Sequence, residues 1–254
     1  MRAFVVYTAL FGDYDVLYDI PIEYTKYCDF ICFTDNIGLN VKNWIIRYVD
    51  SSFMSPVFLN RRYKMLPHLY LTEYHSSLYI DSNIIIKSNP IDLYYKYLTK
   101  YDILFPHHFK RKCVYDEFIE CIKLGKINIF LGMRQIITYK RNGMPFNFGL
   151  SENGIILRNH NKHNVIQIMN LWWDEYLKYP YRDQISLPYA LYKLNMRYNF
   201  IEESCRNENI YFVYTCHKND YNYNIFKKCY KKILILFREY FLCSVIKVLI
   251  KYVK

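Results

Sequence analysis

Short apolar runs that stop abruptly in polar residues recur through the first hundred positions of the chain. Residues 3–8 predict a buried strand, with Phe11-Gly12-Asp13-Tyr14-Asp15 as the loop behind it. Residues 29–33 predict a second strand that ends in Thr34-Asp35-Asn36, and residues 44–49 a third. Between residues 57 and 74 apolar and basic positions alternate at helical spacing, with Arg61, Arg62 and Lys64 in the first half. Ser77-Leu78-Tyr79-Ile80 predicts a fourth strand, tipped by Asp81-Ser82-Asn83. Asn89-Pro90 opens a helix through Tyr97, and residues 102–105 form a fifth strand ending in Pro106-His107-His108.

The second half has a looser pattern. Residues 114–122 are helical, the stretch from there to Arg141 is poorly defined, and Asn142-Gly143-Met144-Pro145 is a turn. A strand over 154–157 follows, then a helix carrying Trp172 and Trp173, a helix opened by Tyr181-Arg182-Asp183-Gln184 and running to about Leu194, and a late strand at 211–214. Strands that are apolar throughout and alternate with helices predict an α/β fold, a central and mostly parallel sheet covered on both faces. In such sheets ligands bind beyond the carboxyl ends of the strands. Thr8, Thr34-Asp35, Asp81-Ser82-Asn83 and His107-His108 all fall at those ends in this reading.

Composition narrows the classes. A chain of 254 residues with 52% hydrophobic and 19% aromatic content can bury a substantial core, which excludes a disordered protein. The formal charge of +11 points to acidic partners such as nucleotide phosphates or anionic lipid. No RNA-binding motif accompanies it, so nucleic acid is not expected as a partner. The eight cysteines form no CxxC pair, and reduced, mostly buried thiols in a cytoplasmic compartment are expected. Met1-Arg2 leads directly into the first strand rather than into a secretory core, and the most apolar stretch, 233–250, is interrupted by Arg238, Glu239 and Lys247.

With only seven glycines and no GxGxxG or Walker loop, a phosphate-cradling glycine loop is not expected. A diphosphate would instead be held by a metal and basic side chains. Asp81 and Asn83 are the metal candidates, and His217 either completes the shell or is a solvated loop histidine. Arg62, Lys64 and Lys218 are candidate phosphate partners, and His107 and His108 are partners for phosphate or acceptor. Glu152 and Asp183 are each a general base, a nucleophile or an acceptor for sugar hydroxyls, and Asp183 is equally a helix cap. Arg182 beside it is a site residue or a surface charge. Trp172 and Trp173 either pack their helix or stack on a sugar.

Several of these segments, taken in order, resemble one family. They are residues 7–15, Phe33-Thr34-Asp35-Asn36, Arg62-Tyr63-Lys64-Met65-Leu66-Pro67-His68, residues 78–83, 111–117 and 149–160, Trp172-Trp173 and Arg182-Asp183-Gln184. The chain is similar, over roughly residues 3–217, to the glycosyltransferase-like domain of the TOD/MUCI type. The resemblance implies a GT-A-like, Rossmann-like fold with a mixed sheet, in which Asp81-Ser82-Asn83 stands where such enzymes carry a DxD element. Asn at the third position departs from that pattern, although an amide oxygen still coordinates hard cations. Asp183-Gln184 resembles an Asp-Gln element near the sugar in retaining members of that fold.

The expected activity is therefore a hexosyltransferase that uses Mn²⁺ or Mg²⁺ and a nucleoside diphosphate sugar, UDP-linked, to modify a hydroxyl of a glycan, lipid-linked or protein-linked acceptor in polysaccharide biosynthesis. The nucleoside would lie on Thr8, Ala9, Thr34 and Asp35, the metal on Asp81 and Asn83 with His217, and the diphosphate by Ser82, Arg62, Lys64, His107, Arg182 and Lys218. Glu152, Asp183 and Gln184 would orient the sugar or assist the acceptor. The alternatives are an inactive nucleotide-sugar-binding protein or a basic nucleic-acid binder. Two domains are expected, 1–219 and a tail over 220–254. In that tail apolar positions mix with lysines in a long helical pattern, so it either lies peripherally on an anionic membrane or packs on the domain.

Overall fold

The computed structural model describes residues 3–12, 14–179, 182–218 and 225–252. Readings that fall on Met1, Arg2, Asp13, Tyr181, Lys254, the 219/220 boundary and the side chains of Lys227, Lys228 and Lys231 lie outside the described residues. The chain divides into two compact units. The first comprises Met1–His107, Glu152–Asn170 and Asn199–Tyr221, and the second His108–Ser151, Leu171–Tyr198 and Asn222–Lys254.

All of the described strands belong to the first unit. They are β1 Phe4–Leu10, β2 Asp29–Thr34, β3 Ile45–Tyr48, β4 Ser76–Ile80, β5 Ile84–Ile86, β6 Ile103–Pro106, β7 Ile155–Arg158, β8 Phe200–Ile201 and β9 Phe212–Tyr214. Seven form one sheet in the order β3-β2-β1-β4-β7-β6-β8, and β5 pairs with β9 in a separate antiparallel ribbon. Within the large sheet β7 alone runs against its neighbours β4 and β6. The remaining pairs are parallel, so the carboxyl ends of β1, β2, β4 and β6 lie at one edge. The expected mixed, mostly parallel α/β sheet is the one found.

Register corrects one boundary. Strand β1 continues past Thr8, because Ala9 and Leu10 pair with Phe33 and Thr34. Thr8 is thus inside the strand and buried, and its Oγ1 has no hydrogen-bond partner. On one face of the sheet Phe4, Val6, Phe30, Leu78 and Leu104 join a core completed by Leu17, Ile20 and Trp44, together with helical residues Ile91, Leu93, Tyr97 and Leu98. Those last four come from α2 Ile91–Leu93 and a wider turn over Tyr94–Leu98. The edge strand β3 departs from the apolar-throughout expectation in its setting, with Ile45, Ile46 and Tyr48 exposed.

Helix α1 spans Pro56–Met65, shorter than the sequence pattern predicts. Ser55 caps it by accepting a bond from the Phe58 amide, and Pro56 takes the first turn, where no amide proton is needed. It stops at Leu66 because the ring of Pro67 disfavours helical geometry in the residue before it. The C-terminal carbonyl of Lys64 receives a bond from Arg158 on β7, at 2.6 Å. Arg158 is completely buried and also bonds the Tyr7 hydroxyl and the Met169 sulfur at 2.9 Å. Burial, moderated by that guanidinium, pushes the Tyr7 phenol up to about 12, so it remains a neutral donor to the Lys64 carbonyl.

The second unit is built from α3 Val114–Lys123, α4 Ile129–Arg141, α6 Asp183–Lys193, α7 Ile225–Phe237 and α8 Ser244–Tyr252, with the C-terminal part of α5 His163–Lys178. The segment that lacked a clear pattern is α4. Gly125, at φ +66, ends α3, and Asn128 caps α4 through the Leu131 amide. Its buried positions Gly132, Gln135, Ile136 and Tyr139 are spaced helically, but glycine and glutamine weaken the apolar signal. Phe118, Cys121, Ile122, Ile136 and Tyr139 form a core with Cys243, Ile246 and Ile250 of the tail. Lys140 Nζ bonds the terminal carbonyls Ile250 and Lys251, where a cation complements the negative end of a helix.

His160, fully buried in the first unit, provides a test of the packing. The Leu71 carbonyl, 3.0 Å away, can only accept, so Nε2 carries the ring proton and Nδ1 accepts from Ser77. Burial, opposed by the Leu71 bond and reinforced by the Arg158 charge, lowers the His160 pKa from 6.5 to about 4. A folded-state pKa below the unfolded value stabilises the fold above pH 6.5 and loses that contribution as pH falls through 6.5 towards 4. Urea unfolding should therefore show a loss of up to about 3 kcal/mol over that window. A His160→Gln variant should decline less steeply over the same interval.

Candidate active site

The carboxyl edge of the sheet in the first unit gathers groups from distant parts of the chain. Strand β1 gives way to Gly12, whose φ of +64 turns its amide onto Asp35 Oδ1 at 2.9 Å, just past the end of β2. Thr34 is buried and accepts from the Asn36 amide, and the Ala9 carbonyl accepts from Asn60 of α1 at 2.5 Å. Strand β1 is thereby tied to α1, and the loop after it to the end of β2.

Strand β4 ends in a tight turn closed by the Ile84 amide on the Asp81 carbonyl at 3.0 Å. Asp81 Oδ1 receives the Tyr79 hydroxyl at 2.8 Å and lies 3.6 Å from Lys64 Nζ. The lysine side chain is 2% exposed and the carboxylate 36%, so a buried cation holds an acid that reaches solvent. Tyr79 is pushed well above its ordinary value by burial and then by the Asp81 charge, with Arg61 opposing. It therefore serves as a fixed hydroxyl donor. Oδ2 stands 3.0 Å from where a side chain on Gly154 would begin, so glycine at that position makes room for the carboxylate. Arg61, which the sequence did not offer as a site residue, thus acts electrostatically on Tyr79, whereas Arg62 lies against the Met54 sulfur.

Asn83 is buried, and it clamps Thr215 from both sides. Its Nδ2 donates to the Thr215 carbonyl at 2.9 Å, and its own carbonyl receives the Thr215 amide and hydroxyl. This clamp delivers the segment Cys216-His217-Lys218 to the turn. His217 Nδ1 lies 2.9 Å from Asp15 Oδ2, and the imidazole is flanked by the rings of Tyr14 and Tyr214. Asp15 is 4% exposed and also receives Ser82 Oγ at 3.4 Å and the Lys218 amide at 3.4 Å. Asp15 joins three segments that the sequence separates by as many as 203 positions, and its loop position gave no sign of that.

Glu152 is buried and accepts from Ser204 Oγ at 2.9 Å, with Arg206 Nε at 4.0 Å. Cys205 is pushed up to about 12, mainly by burial and next by the Glu152 charge, with Asp81 contributing as well. Glu152 and Asp81 thus act on one thiol. His107 is exposed and stacks on Phe200 with ring centroids 3.6 Å apart. Among the described residues no group of three His, Cys, Asp or Glu side chains is placed to hold a metal ion alone.

The second unit carries the remaining candidates. Asp183 is the first residue of α6 and buried; Oδ1 accepts the amide of Gln184, and its carbonyl accepts Trp172 Nε1 at 3.0 Å. Trp172 is fully buried and packs there, while Trp173 stacks with Tyr176. Arg182 precedes the helix, and its Nε is buried without a hydrogen-bond partner. His108 is buried, and its Nδ1 accepts the amides of Lys110 and Arg111. Arg111 in turn reaches Glu117 at 2.6 Å, so His108 belongs to a buried polar cluster.

The fold and this edge define an α/β protein of the kind that receives its ligand beyond the carboxyl ends of parallel strands. Residues 40–236 match the model of the TOD1/MUCI70 glycosyltransferase-like domain, and the chain belongs to that family. No curated protein sequence matches it. Among solved structures it is similar to the apo form of the WbbM bifunctional glycosyltransferase, with 12% identity, TM-score 0.46, and coverage of 79% of this chain and 39% of the other. It is similar to mouse xyloside xylosyltransferase 1 in its apo form at 9% identity and TM-score 0.47, covering 78% and 84%. A third is the glycosyltransferase GlyE of Streptococcus pneumoniae TIGR4 at 13% identity and TM-score 0.40, covering 80% and 45%. The chain spans less than half the length of the first and third.

The thiols report on this geometry. Cys216 is exposed beside His217, whereas Cys205 is partly buried with a strongly raised pKa. Only the thiolate reacts. Alkylation with iodoacetamide near pH 8, mapped by mass spectrometry, should modify Cys216 at least about tenfold faster than Cys205.

Proposed function

We propose that the chain is a GT-A-type glycosyltransferase that moves a hexose from a nucleoside diphosphate sugar, uridine-linked, to a hydroxyl of a glycan, lipid-linked or protein-linked acceptor, with retention of configuration. Family membership supports the class of reaction. The observation that carries the reading is Asp81. Its carboxylate reaches solvent at the end of β4, held by Tyr79 and Lys64 and given room by Gly154.

The donor types at this edge suit a hard divalent cation, Mn²⁺ or Mg²⁺, that shares its shell between protein oxygens, water and substrate phosphates. Asp81 would hold it, with Asn83 through its amide oxygen and His217 through the ring nitrogen opposite Asp15. When bound, such a cation offsets charge developing on the departing diphosphate. Asp15 orients His217, and Lys64 holds Asp81 in place. Arg61, Arg62 and Lys218 supply positive charge for the diphosphate, and Asp35 with the turned backbone at Gly12 receives the nucleoside. Glu152 accepts from the sugar or acceptor hydroxyls. Asp183 and Gln184 keep the role the family resemblance implies, orienting the donor sugar.

Asp81→Ala would remove the acceptor of the buried Tyr79 hydroxyl and leave a void beside it, which destabilises the fold. Asp81→Asn keeps the Tyr79 bond and the volume. Donor hydrolysis and transfer by Asp81→Asn should fall at least about a hundredfold, as losses of electrostatic stabilisation do, while the melting temperature stays within a few degrees. Activity near the parent level would sink the assignment. Gly154→Ala should displace the same carboxylate and lower kcat/KM for the donor by about tenfold or more, since the new methyl meets Oδ2 at 3.0 Å. Chelation with EDTA should abolish turnover, and added Mn²⁺ should restore it.

A further inference from the structure

The tail has two apolar faces, and only one is packed. Cys243, Ile246 and Ile250 are buried in the core of the second unit with α3 and α4. The opposite face presents Ile233, Phe237, Phe241, Val245, Val248 and Tyr252, each between 54% and 71% exposed. These residues recur every three or four positions across α7, the Arg238–Cys243 turn and α8. That turn is a wide helical one, and its extra residue per turn keeps the row on one side. The row from Ile233 to Tyr252 is about 30 Å long at 1.5 Å per residue. Contiguous apolar surface on that scale marks an interaction site.

Charge identifies the occupant. From residue 225 to the end there are eight basic residues, Lys227, Lys228, Lys231, Lys232, Arg238, Lys247, Lys251 and Lys254, against one acid, Glu239. This segment therefore supplies +7 of the formal +11. Glu239 is itself paired to Lys123 at 2.8 Å, so it leaves the excess undiminished. Lys232, Lys247 and Lys251 are exposed along the same helices as the apolar row. A second copy would bring two +7 segments together, which opposes self-association. No described helix is long and apolar enough to cross a membrane.

We propose that this face is a docking surface for an anionic lipid bilayer, on which the helices lie in the plane of the interface. The apolar row enters the boundary between headgroups and acyl chains, and the lysines meet lipid phosphates and carboxylates. The inference stands independently of the proposed reaction, because it uses none of the residues assigned to donor binding.

The full chain should be tested by co-sedimentation with vesicles of phosphatidylcholine alone and of phosphatidylcholine with one quarter phosphatidylserine. Binding to the anionic vesicles should exceed binding to the neutral ones by at least about tenfold and weaken as salt rises, as lysine attraction to such a surface does. The double variant Phe241→Asp with Val248→Asp changes exposed side chains only. It should lose at least about tenfold in vesicle affinity with unchanged circular dichroism and melting temperature. Lys232→Glu with Lys247→Glu, which leaves the apolar row intact, should lose a similar factor on the anionic vesicles alone. Absence of binding, equal binding to both vesicle types, or binding indifferent to both variants would overturn the proposal. So would a concentration-dependent dimer that the aspartate variant dissolves.

Discussion

A guanidinium buried in the first unit sets the position of the acid at the end of β4. Arg158 projects from β7 to the end of α1, where the Lys64 carbonyl and the Tyr7 hydroxyl receive it. Carbonyls in the last turn of a helix carry partial negative charge, so the helix terminus offsets part of the desolvation of the cation. The same contacts fix α1 against β1 and bring the Lys64 side chain to Asp81. The acid at the end of β4 is therefore placed by a chain of buried polar contacts, β7 to α1 to β4, and its geometry depends on packing remote from the turn itself. Buried groups of this kind are costly unless paired, and Tyr7, Lys64 and Met169, which pair Arg158, belong to three different elements.

The other half of the edge depends on pairing across the small ribbon. Strands β5 and β9 meet only after 125 residues of intervening chain, and Asn83 extends their ladder by one more residue at Thr215. His217 and Lys218 are delivered to the turn by that ladder. Asp15 then closes it, accepting from the imidazole, the Lys218 amide and Ser82. Asp81 and Asp15 thus have different tasks: one is half-open to solvent, and the other is turned inward to hold neighbouring segments. A turn that in isolation is ordinary Asx chemistry becomes a site through the two acids that frame it.

The tail shows how one helical pattern can serve two surfaces. Its inner row completes a core that α3 and α4 would otherwise leave open, and Lys140 binds its final carbonyls. Its outer row has the same residue types and no counterpart within the second unit. Apolar periodicity in a sequence measures how many faces are greasy, and it cannot say which of them the fold covers.

By itself the sequence determined the fold class, since the period of its apolar runs distinguishes strand from helix and their alternation implies a parallel sheet. It also located the acid at the end of β4, because an apolar run broken by Asp-Ser-Asn is a local event. It located a helix after β3 but not its end, since the helical spacing runs on to residue 74 while α1 stops at Met65, ahead of Pro67. Only the tertiary structure decided that β1 runs on to Leu10, that Arg61 rather than Arg62 bears on Tyr79, and that Asp15 holds His217. It likewise made Trp172 a buried donor to Asp183 and turned a weakly patterned stretch into α4. Those outcomes depend on which face of an element meets which neighbour. That choice is set by strand register and side-chain direction between residues far apart in the chain, which no local window of sequence contains.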